Sequence, residues 1–256
     1  MNSGLLRAYS QLYKGGKLLF KNPFRWFDVT VWPLILLFSL TLFVSFVGND
    51  PRLVTLVVLG VMGWRAVYHA QFEVANNYQE EFWSNSLTHL FITPIRPIEM
   101  VAGAAVSGFL KFVIVFLMYY VLTFFLYGFV VPDIGIFLIA ALALFVFGLS
   151  LGMITLGLLF LFQSEAFPLS FSMADVFVLI SGAYYPVSVL PGPVQAVALL
   201  LPSTHAFNLL KSTVGMGSVD WVALLVLSVV WFGIGYAVTM WGFHQAKKTG
   251  KLVRVA

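Results

Sequence analysis

The chain has 256 residues, of which 61% are hydrophobic and only 9% are charged, and its mean hydropathy is +0.96. A soluble domain is roughly 45–50% apolar and about 25% charged, so this composition excludes a soluble globular protein and predicts an integral membrane protein. The formal net charge is +4 and cysteine is absent, which excludes disulfides and thiolate metal sites within the chain.

Residues 1–28 predict an interfacial amphipathic helix. Leu5, Tyr9 and Leu12 recur at helical spacing, whereas Arg7 lies on the opposite side. A helix with one apolar and one basic side lies in the plane of the membrane surface. We therefore expect this segment to lie on the membrane before the first span.

Six apolar segments predict an all-α integral membrane fold with six transmembrane helices in a single domain over residues 1–256. A helix needs roughly 20 apolar residues to cross a hydrocarbon core of about 30 Å. The predicted spans lie at 29–49, 53–75, 98–129, within 134–164, at 166–183 and at 221–243. The fourth span carries Gly148 and Gly152, a spacing that suits close packing of two helices.

Basic residues cluster at both ends of the chain, in residues 1–28 and in the tail at 244–256. Cytoplasmic segments of membrane proteins are enriched in Lys and Arg. Because an even number of spans puts both ends on one side, both termini are predicted to be cytoplasmic in a multi-pass protein of the cell (inner or plasma) membrane. Nucleic-acid binding is the other interpretation of such clusters, but next to membrane segments they are more often topology signals, so no nucleic-acid partner is expected.

The connection between the second and third spans, residues 76–97, is the one sizeable cytoplasmic segment that the pattern predicts. Between Glu80 and Phe91 apolar residues recur at intervals of three and four, which predicts a short amphipathic helix that ends before the next proline. It is either an interfacial linker or a docking helix for a soluble partner. In the second case Trp83 and Phe91 anchor the helix, and Glu80 and Glu81 meet the partner. The candidate partner-coupling residues are Glu80, Glu81, Trp83, Asn85, Thr88, His89 and Phe91.

Residues 184–211 carry no charge before their last residue, yet prolines interrupt them so that no continuous helix can form. Two short helices are predicted, one over 193–201 and one that Ser203 or Thr204 caps and that ends near Lys211. Each is about 13 Å long, which is less than half of a bilayer. They form either a re-entrant hairpin that closes the outer end of a pathway or an outer loop on the membrane surface. The candidate gate residues are Tyr184, Tyr185, Pro186, Pro191, Pro202 and His205.

Four ionisable residues lie inside the predicted spans: Arg65, His69, Lys111 and Asp175. A charge in the hydrocarbon core costs at least a few kcal/mol unless it is paired or hydrated. Counted along the helices, Arg65, Lys111 and Asp175 lie at similar depth, roughly 15–18 Å from the cytoplasmic boundary. They form either an ion-pair network that joins spans two, three and five or a cationic wall that receives an anionic head group.

The order of these elements, together with three short motifs, resembles the type-2 permeases of ATP-binding cassette (ABC) exporters. The motifs are TPIRPIE at 93–99, GAYYPVSVLP at 182–191 and LPSTHA at 201–206, and the similarity covers nearly the whole chain. That family exports polysaccharides, lipo-oligosaccharides, teichoic acid and drugs. The chain departs from many members at 83–86, where it has WSNS and they have Gly-Thr.

The resemblance implies that the helix at 80–91 couples this chain to a separate cytoplasmic ABC ATPase, which binds ATP and Mg. It implies that 184–211 is the outer re-entrant element. It also implies that a second permease copy, in a homodimer or as a homologue, completes the transporter among membrane lipids. The implied function is export of an amphipathic, lipid- or glycan-type substrate.

The chain itself carries no ATP-binding motif. The Gly-Lys pairs at 16–17 and 250–251 are each followed by leucine and lack the upstream glycine of a P-loop. No HExxH motif occurs and the four histidines are isolated. No metal site, no bound cofactor and no enzymatic activity are therefore expected of this chain.

Two functions from other classes remain as alternatives. One is an ATP-independent secondary transporter or channel that uses Arg65, Lys111 and Asp175 as ion or proton ligands. The other is an intramembrane enzyme that acts on lipid with His205 or His69 as base. Both would act without an ATPase, whereas the family resemblance implies no transport by this chain alone.

Overall fold

The computed structural model describes residues 10, 13–17, 24–47 and 50–250. Within these ranges every regular element is a helix, which confirms the predicted all-α fold. Residues 13–17 are helical, but most of the predicted interfacial helix at 1–28 and the end of the basic tail lie outside the described residues.

From Phe24 onward, nine α-helices follow one another through the described part of the chain. They are α1 (Phe24–Val47), α2 (Pro51–Trp83), α3 (Leu87–Ile92), α4 (Pro97–Tyr127), α5 (Ile134–Phe162), α6 (Phe167–Ile180), α7 (Gly192–Ala198), α8 (Pro202–Ser212) and α9 (Trp221–Lys248). Single 3-10 turns, Gln163–Ala166 and Val187–Val189, precede α6 and α7. The predicted starts of α4 and α9 agree with the structure to within one residue.

Five segments of the described chain are long and apolar enough to cross a membrane. Four of them correspond to α1, α2, α4 and α9, and the remaining one, Ile134–Ile180, contains both α5 and α6. Helix α6 has 14 residues and is therefore about 21 Å long, shorter than a hydrocarbon core of about 30 Å. Six separate crossings stay a prediction.

The chain reverses direction between α5 and α6. Gln163, which follows α5, has a φ of 49°, and a single 3-10 turn leads into α6. Helix α6 then runs back along α2, because Phe167 at its start packs against Phe82, with the ring centroids 5.0 Å apart. Beyond its end, the carbonyl group of Ala183 lies against Gly60, near the start of α2.

Helix α2 is the central element of the fold. It packs against α1, α4, α5, α6 and α8, and its 33 residues give it a length of about 50 Å. Glycines let neighbouring helices reach its backbone: a Cβ added at Gly148 of α5 would overlap the carbonyl oxygen of Val67, and one at Gly108 of α4 would lie 2.7 Å from that of His69. The small-residue face predicted at Gly148 and Gly152 is thus the contact between α5 and α2.

Aspartates cap the N-termini of three long helices. Asp50 accepts a hydrogen bond from the backbone of α2 (2.9 Å), Asp133 from that of α5 (3.0 Å) and Asp220 from that of α9 (2.9 Å). A carboxylate at this position binds free N–H groups and lies at the positive end of the helix dipole. All three aspartates belong to segments that the topology prediction puts outside the cell.

The two short helices of 184–211 differ in burial. Helix α8 is deeply buried against α2, α5 and α9, and Phe207 stacks on Trp64 with the ring centroids 6.0 Å apart. Helix α7 is mostly exposed and ends in exposed leucines. The predicted cap at Ser203 or Thr204 is wrong, because the N-cap residue of α8 is Leu201, two residues before Ser203, and Pro202 lies in its first turn.

Candidate functional site

Two adjoining cavities run along α2 between α1 and α6. Their volumes are about 540 Å³ and about 260 Å³, and they share Tyr68 and Phe171 as walls. Small-molecule sites typically enclose about 300–1,000 Å³. We call the larger one the upper cavity and the smaller one, which reaches Trp83 at the end of α2, the lower cavity.

The lower cavity contains an ion pair between α2 and α4. Lys111 donates to a carboxylate oxygen of Glu73, and both side chains are largely buried, with 16% and 9% exposed. His69 lines the same cavity, and its Nε2 atom is buried without a hydrogen-bond partner in the described structure. The carboxylate that pairs with Lys111 is that of Glu73, which was not among the four intramembrane residues singled out in the sequence.

The upper cavity brings together Arg65 and Asp175, two of the four intramembrane charges singled out in the sequence. Arg65 is only 5% exposed and stacks over the ring of Tyr68 at 5.3 Å. Its Nε atom is buried and has no hydrogen-bond partner among the described residues. Asp175 is exposed at the border of the cavity.

Buried glutamines of α2 hold α6 in place beside the cavities. Gln79 donates to the hydroxyl of Ser170 at 2.9 Å and to the carbonyl of Phe167 at 3.3 Å, and Gln71 donates to the carbonyl of Ser170 at 3.3 Å. These bonds fix the helix that carries Asp175 against the helix that carries Arg65. Sequence periodicity missed both glutamines, although an amide inside a predicted span, as at Gln71, is itself a signal of an interhelical bond.

The connection at 76–97, predicted to be cytoplasmic, does not form the single helix that was predicted over 80–91. Helix α2 continues to Trp83, a turn follows in which Asn85 has a φ of 55°, and α3 begins at Leu87. Asn tolerates this left-handed conformation better than most residues. The exposed residues at this end of the molecule are Trp83, Ser84, Asn85, His89, Ile92, Thr93, Pro94 and Arg96, which we call the cytoplasmic tip after the predicted topology.

Glu81 is buried, whereas a residue that meets a partner was expected to be exposed. It is only 6% exposed, and its carboxylate accepts hydrogen bonds from Lys14 and from the hydroxyl of Ser86. Glu80 is half-buried and accepts a hydrogen bond from Asn76 at 2.8 Å. Glu81 therefore connects the N-terminal segment to the turn before α3.

The aromatic residues predicted to anchor this region pack against the bundle itself. Phe91 lies against Phe160 and Phe243, with ring centroids 6.1 and 5.9 Å away. Trp83 lies edge-on against Phe167 at 5.6 Å and remains 57% exposed. Of the other candidates, Thr88 is half-buried and His89 is exposed. The predicted coupling residues thus divide into an exposed group and a group that fixes the tip to the bundle.

No family model and no curated protein matches the chain. Similarity to type-2 permeases therefore depends on the sequence motifs and on the order of the elements. Among the described residues there is also no group of three or more His, Asp or Glu side chains arranged to hold a metal ion.

The segment at 184–211, predicted to be the outer element, is held by hydrogen bonds to backbone carbonyls. Lys211 donates to the carbonyl oxygens of Gly182 (2.5 Å) and Tyr185 (2.8 Å). Among the predicted gate residues, His205 bonds through Nε2 to the carbonyl of Leu199 at 3.0 Å, and Tyr184 lines the upper cavity. The remaining gate residues either donate to a carbonyl, as Tyr185 does, or are prolines at the ends of turns and helices: Pro186, Pro191 and Pro202.

Replacing Lys211 by methionine is expected to destabilise the fold by about 1–3 kcal/mol, because two carbonyls that it satisfies lose their donor. Denaturant unfolding of the purified protein measures this change. Lys247→Met, at an exposed site on α9, is the matched control and should have no measurable effect. Equal stability of both variants would contradict the structural role of Lys211.

Lys211, which lies between the membrane-spanning segments, also predicts a pH dependence. Burial lowers the pKa of its ammonium group to about 8, below the ordinary value near 10.4. A lowered pKa means that folding disfavours the charged form, so the penalty is fully present below about pH 8 and disappears as the pH rises towards 10.4. The wild-type protein should therefore gain more stability than Lys211→Met between pH 8 and pH 10.

Proposed function

We propose that the chain is the membrane subunit of an ATP-driven exporter of the type-2 ABC class. The observation that carries this proposal is the course of α2. It runs without a break from its Asp50 cap, past the walls of both cavities, to Trp83 at the cytoplasmic tip. One stiff element thus connects a surface where a soluble partner can bind with a groove where a substrate can lie.

The proposed topology has six crossings, with both termini in the cytoplasm and α7–α8 as a re-entrant pair. Three aspartate caps at the starts of α2, α5 and α9 support a common outer side. The exposed apolar side chains of α7 and of the turn after it, which include Val197, 50% exposed, and Leu200, 61% exposed, suit contact with lipid. Burial of α8 inside the bundle suits irregular backbone at membrane depth, which needs protein around it.

The proposed partner is a separate cytoplasmic ABC ATPase, which binds ATP and Mg and docks on the cytoplasmic tip. Apolar Ile92 is 77% exposed there and lies between polar His89 and the cation Arg96. An exposed apolar side chain with a polar rim is typical of a protein interface. Closure of the ATPase would push on the tip and tilt α2.

A second copy of the permease would complete the pathway. The two cavities open between α1 and α6, and the exposed residues Trp32 and Ile35 of α1 stand at this opening. A helix pair of a second copy facing the opening would convert the groove into a closed path, with the substrate beneath the outer elements. The substrate class proposed from the family resemblance is amphipathic, of a lipid or glycan type.

The alternative is a secondary transporter without an ATPase. The buried charges beside the cavities favour it, because ionisable groups inside a membrane often bind ions or protons. Purified protein in proteoliposomes separates the two. Ion-driven transport by this chain alone would support the alternative, and no transport until an ATPase and ATP are added would support the exporter.

The docking surface can be tested by co-purification. Ile92→Glu should reduce recovery of a P-loop ATPase with the tagged chain at least tenfold, since a charge replaces the exposed apolar contact. Lys248→Glu, at an exposed site at the cytoplasmic end of α9, is the control and should keep the ATPase. Recovery of the ATPase with Ile92→Glu at the wild-type level would refute docking at the tip.

A further inference from the structure

The upper cavity contains a buried cation that forms no ion pair with a carboxylate among the described residues. Among the described residues, ion pairs join Lys14 to Glu81 and Lys111 to Glu73, and Arg65 takes part in neither. Its Nε atom is buried without a hydrogen-bond partner. An unpaired charge and a free donor at this depth each cost free energy, so an anion that enters the cavity would relieve both.

The nearby carboxylate forms no ion pair with Arg65. Asp175 borders the same cavity but is exposed, whereas Arg65 is only 5% exposed. Among the described residues the two side chains are not paired, and the buried Nε donor of Arg65 stays without a partner beside Asp175. Lys111, the other intramembrane cation, is already paired with Glu73. Arg65 is therefore the intramembrane cation that can bind an anionic ligand.

The other walls of the upper cavity are apolar and aromatic. They consist of Trp32, Ile35, Leu36, Trp64, Tyr68, Phe171, Val178 and Tyr184, with Ser39 as a polar neighbour. Such walls bind an alkyl chain or a ring, and the exposed side chains of Trp32 and Ile35 stand where the cavity opens towards lipid. The guanidinium fork of arginine matches the oxygens of a phosphate or carboxylate.

We propose that the upper cavity binds an amphipathic molecule by its anionic head group, with Arg65 on the head group and the aromatic and aliphatic walls on its apolar part. This proposal names the substrate class of the groove and rests on the proposed export function. A neutral glycan or a cationic drug would leave the charge of Arg65 without a counter-ion.

Equilibrium binding to the purified chain in phosphatidylcholine nanodiscs tests the proposal without an ATPase. Radiolabelled lysophosphatidic acid, which has one acyl chain and a phosphate, should bind saturably. Lysophosphatidylcholine, which has no net charge, and inorganic phosphate, which has no chain, should compete at least tenfold more weakly. Equal competition by lysophosphatidylcholine would refute recognition of the charge, and equal competition by inorganic phosphate would refute recognition of the chain.

Variants locate the binding to the cavity. Arg65→Gln should weaken binding of lysophosphatidic acid at least tenfold, whereas Arg96→Gln, which removes an exposed cation at the cytoplasmic tip, should bind as the wild type does. If Arg65→Gln does not fold, Ser39→Asp puts a negative charge on the exposed wall of the cavity and should also weaken binding, while neutral Ser39→Asn should not. Unchanged binding by Arg65→Gln or by Ser39→Asp would overturn the proposal.

The two proposals fail in distinguishable ways. A chain that recruits an ATPase but shows no charge-dependent lipid binding would refute the substrate class and leave the exporter intact. A chain that binds lysophosphatidic acid through Arg65 but transports it without an ATPase would keep the binding site and refute ATP-driven export.

Discussion

Gly148→Ala is expected to lower the free energy of unfolding by about 3 kcal/mol, at the upper end of the range for overpacked cores. The added methyl group would overlap the carbonyl oxygen of Val67 and would lie 2.8 Å from the Cβ of Ala70. These atoms belong to α2, which is itself packed on every side, so neither helix can move away without disturbing other contacts. Unfolding of the purified protein in a denaturing detergent measures the loss.

Gly233→Ala is the matched control for this prediction. Gly233 lies in the exposed part of α9, and a Cβ there would meet no atom within 4 Å. Alanine is also the better helix former, by about 1 kcal/mol, so this variant should be as stable as the wild type or more so. If the two alanine variants unfolded alike, the close contact between α5 and α2 would not exist as described.

Glu73→Gln is expected to be the most damaging single change of a charge, at about 3–5 kcal/mol, because it leaves the ammonium group of Lys111 buried without its carboxylate. The double variant Glu73→Leu with Lys111→Met replaces both charges by apolar groups of similar size. Such replacements of buried pairs are often neutral, so the double variant should recover most of the lost stability.

A double-mutant cycle over these two positions measures the coupling between them. Lys248→Met, which removes an exposed lysine at the end of α9, serves as the control for loss of a charge and should change stability by less than about 1 kcal/mol. Additive effects of the Glu73 and Lys111 changes would show that the two side chains do not interact.

Composition and apolar runs were sufficient to predict an all-helical membrane protein and the starts of several long helices. These starts are marked locally by a proline or an aspartate at the edge of an apolar run, as at Pro97 and Asp220. Local signals of this kind depend on a few neighbouring residues, so they can be read without knowing the tertiary structure.

The extension of α2 into residues 76–83 could not be predicted in the same way. That segment is polar and resembles a loop, yet Tyr78 is 1% exposed and packs edge-on against Phe160 at 5.4 Å. Tertiary packing therefore continues the helix beyond the apolar run. The C-terminal end of α2, in contrast, is set by neighbouring residues. The side chain of Ser84 donates to the carbonyl of Glu80 at 2.7 Å, and Asn85 follows in a left-handed conformation.

Pairing of the charges also depended on information that the sequence does not contain. Counting residues along straight helices gives the depth of Lys111 but not its direction around the helix axis. Similar depth grouped Lys111 with Arg65 and Asp175, whereas the carboxylate that pairs with it in the structure is that of Glu73. Likewise, the pairing of Lys14 with Glu81 joins residues 67 positions apart, which helical periodicity cannot reveal.

Helix α2 contains no proline after its first residue, and its closest backbone contacts with α4 and α5 fall near its middle, around Val67 and His69. Because α2 has no kink at which it could bend, a force on one end would tilt the whole helix. If α2 tilts about its contacts with α4 and α5, which lie near its middle, its two ends would move in opposite directions. An inward movement of Trp83 would then accompany an outward movement of the end capped by Asp50.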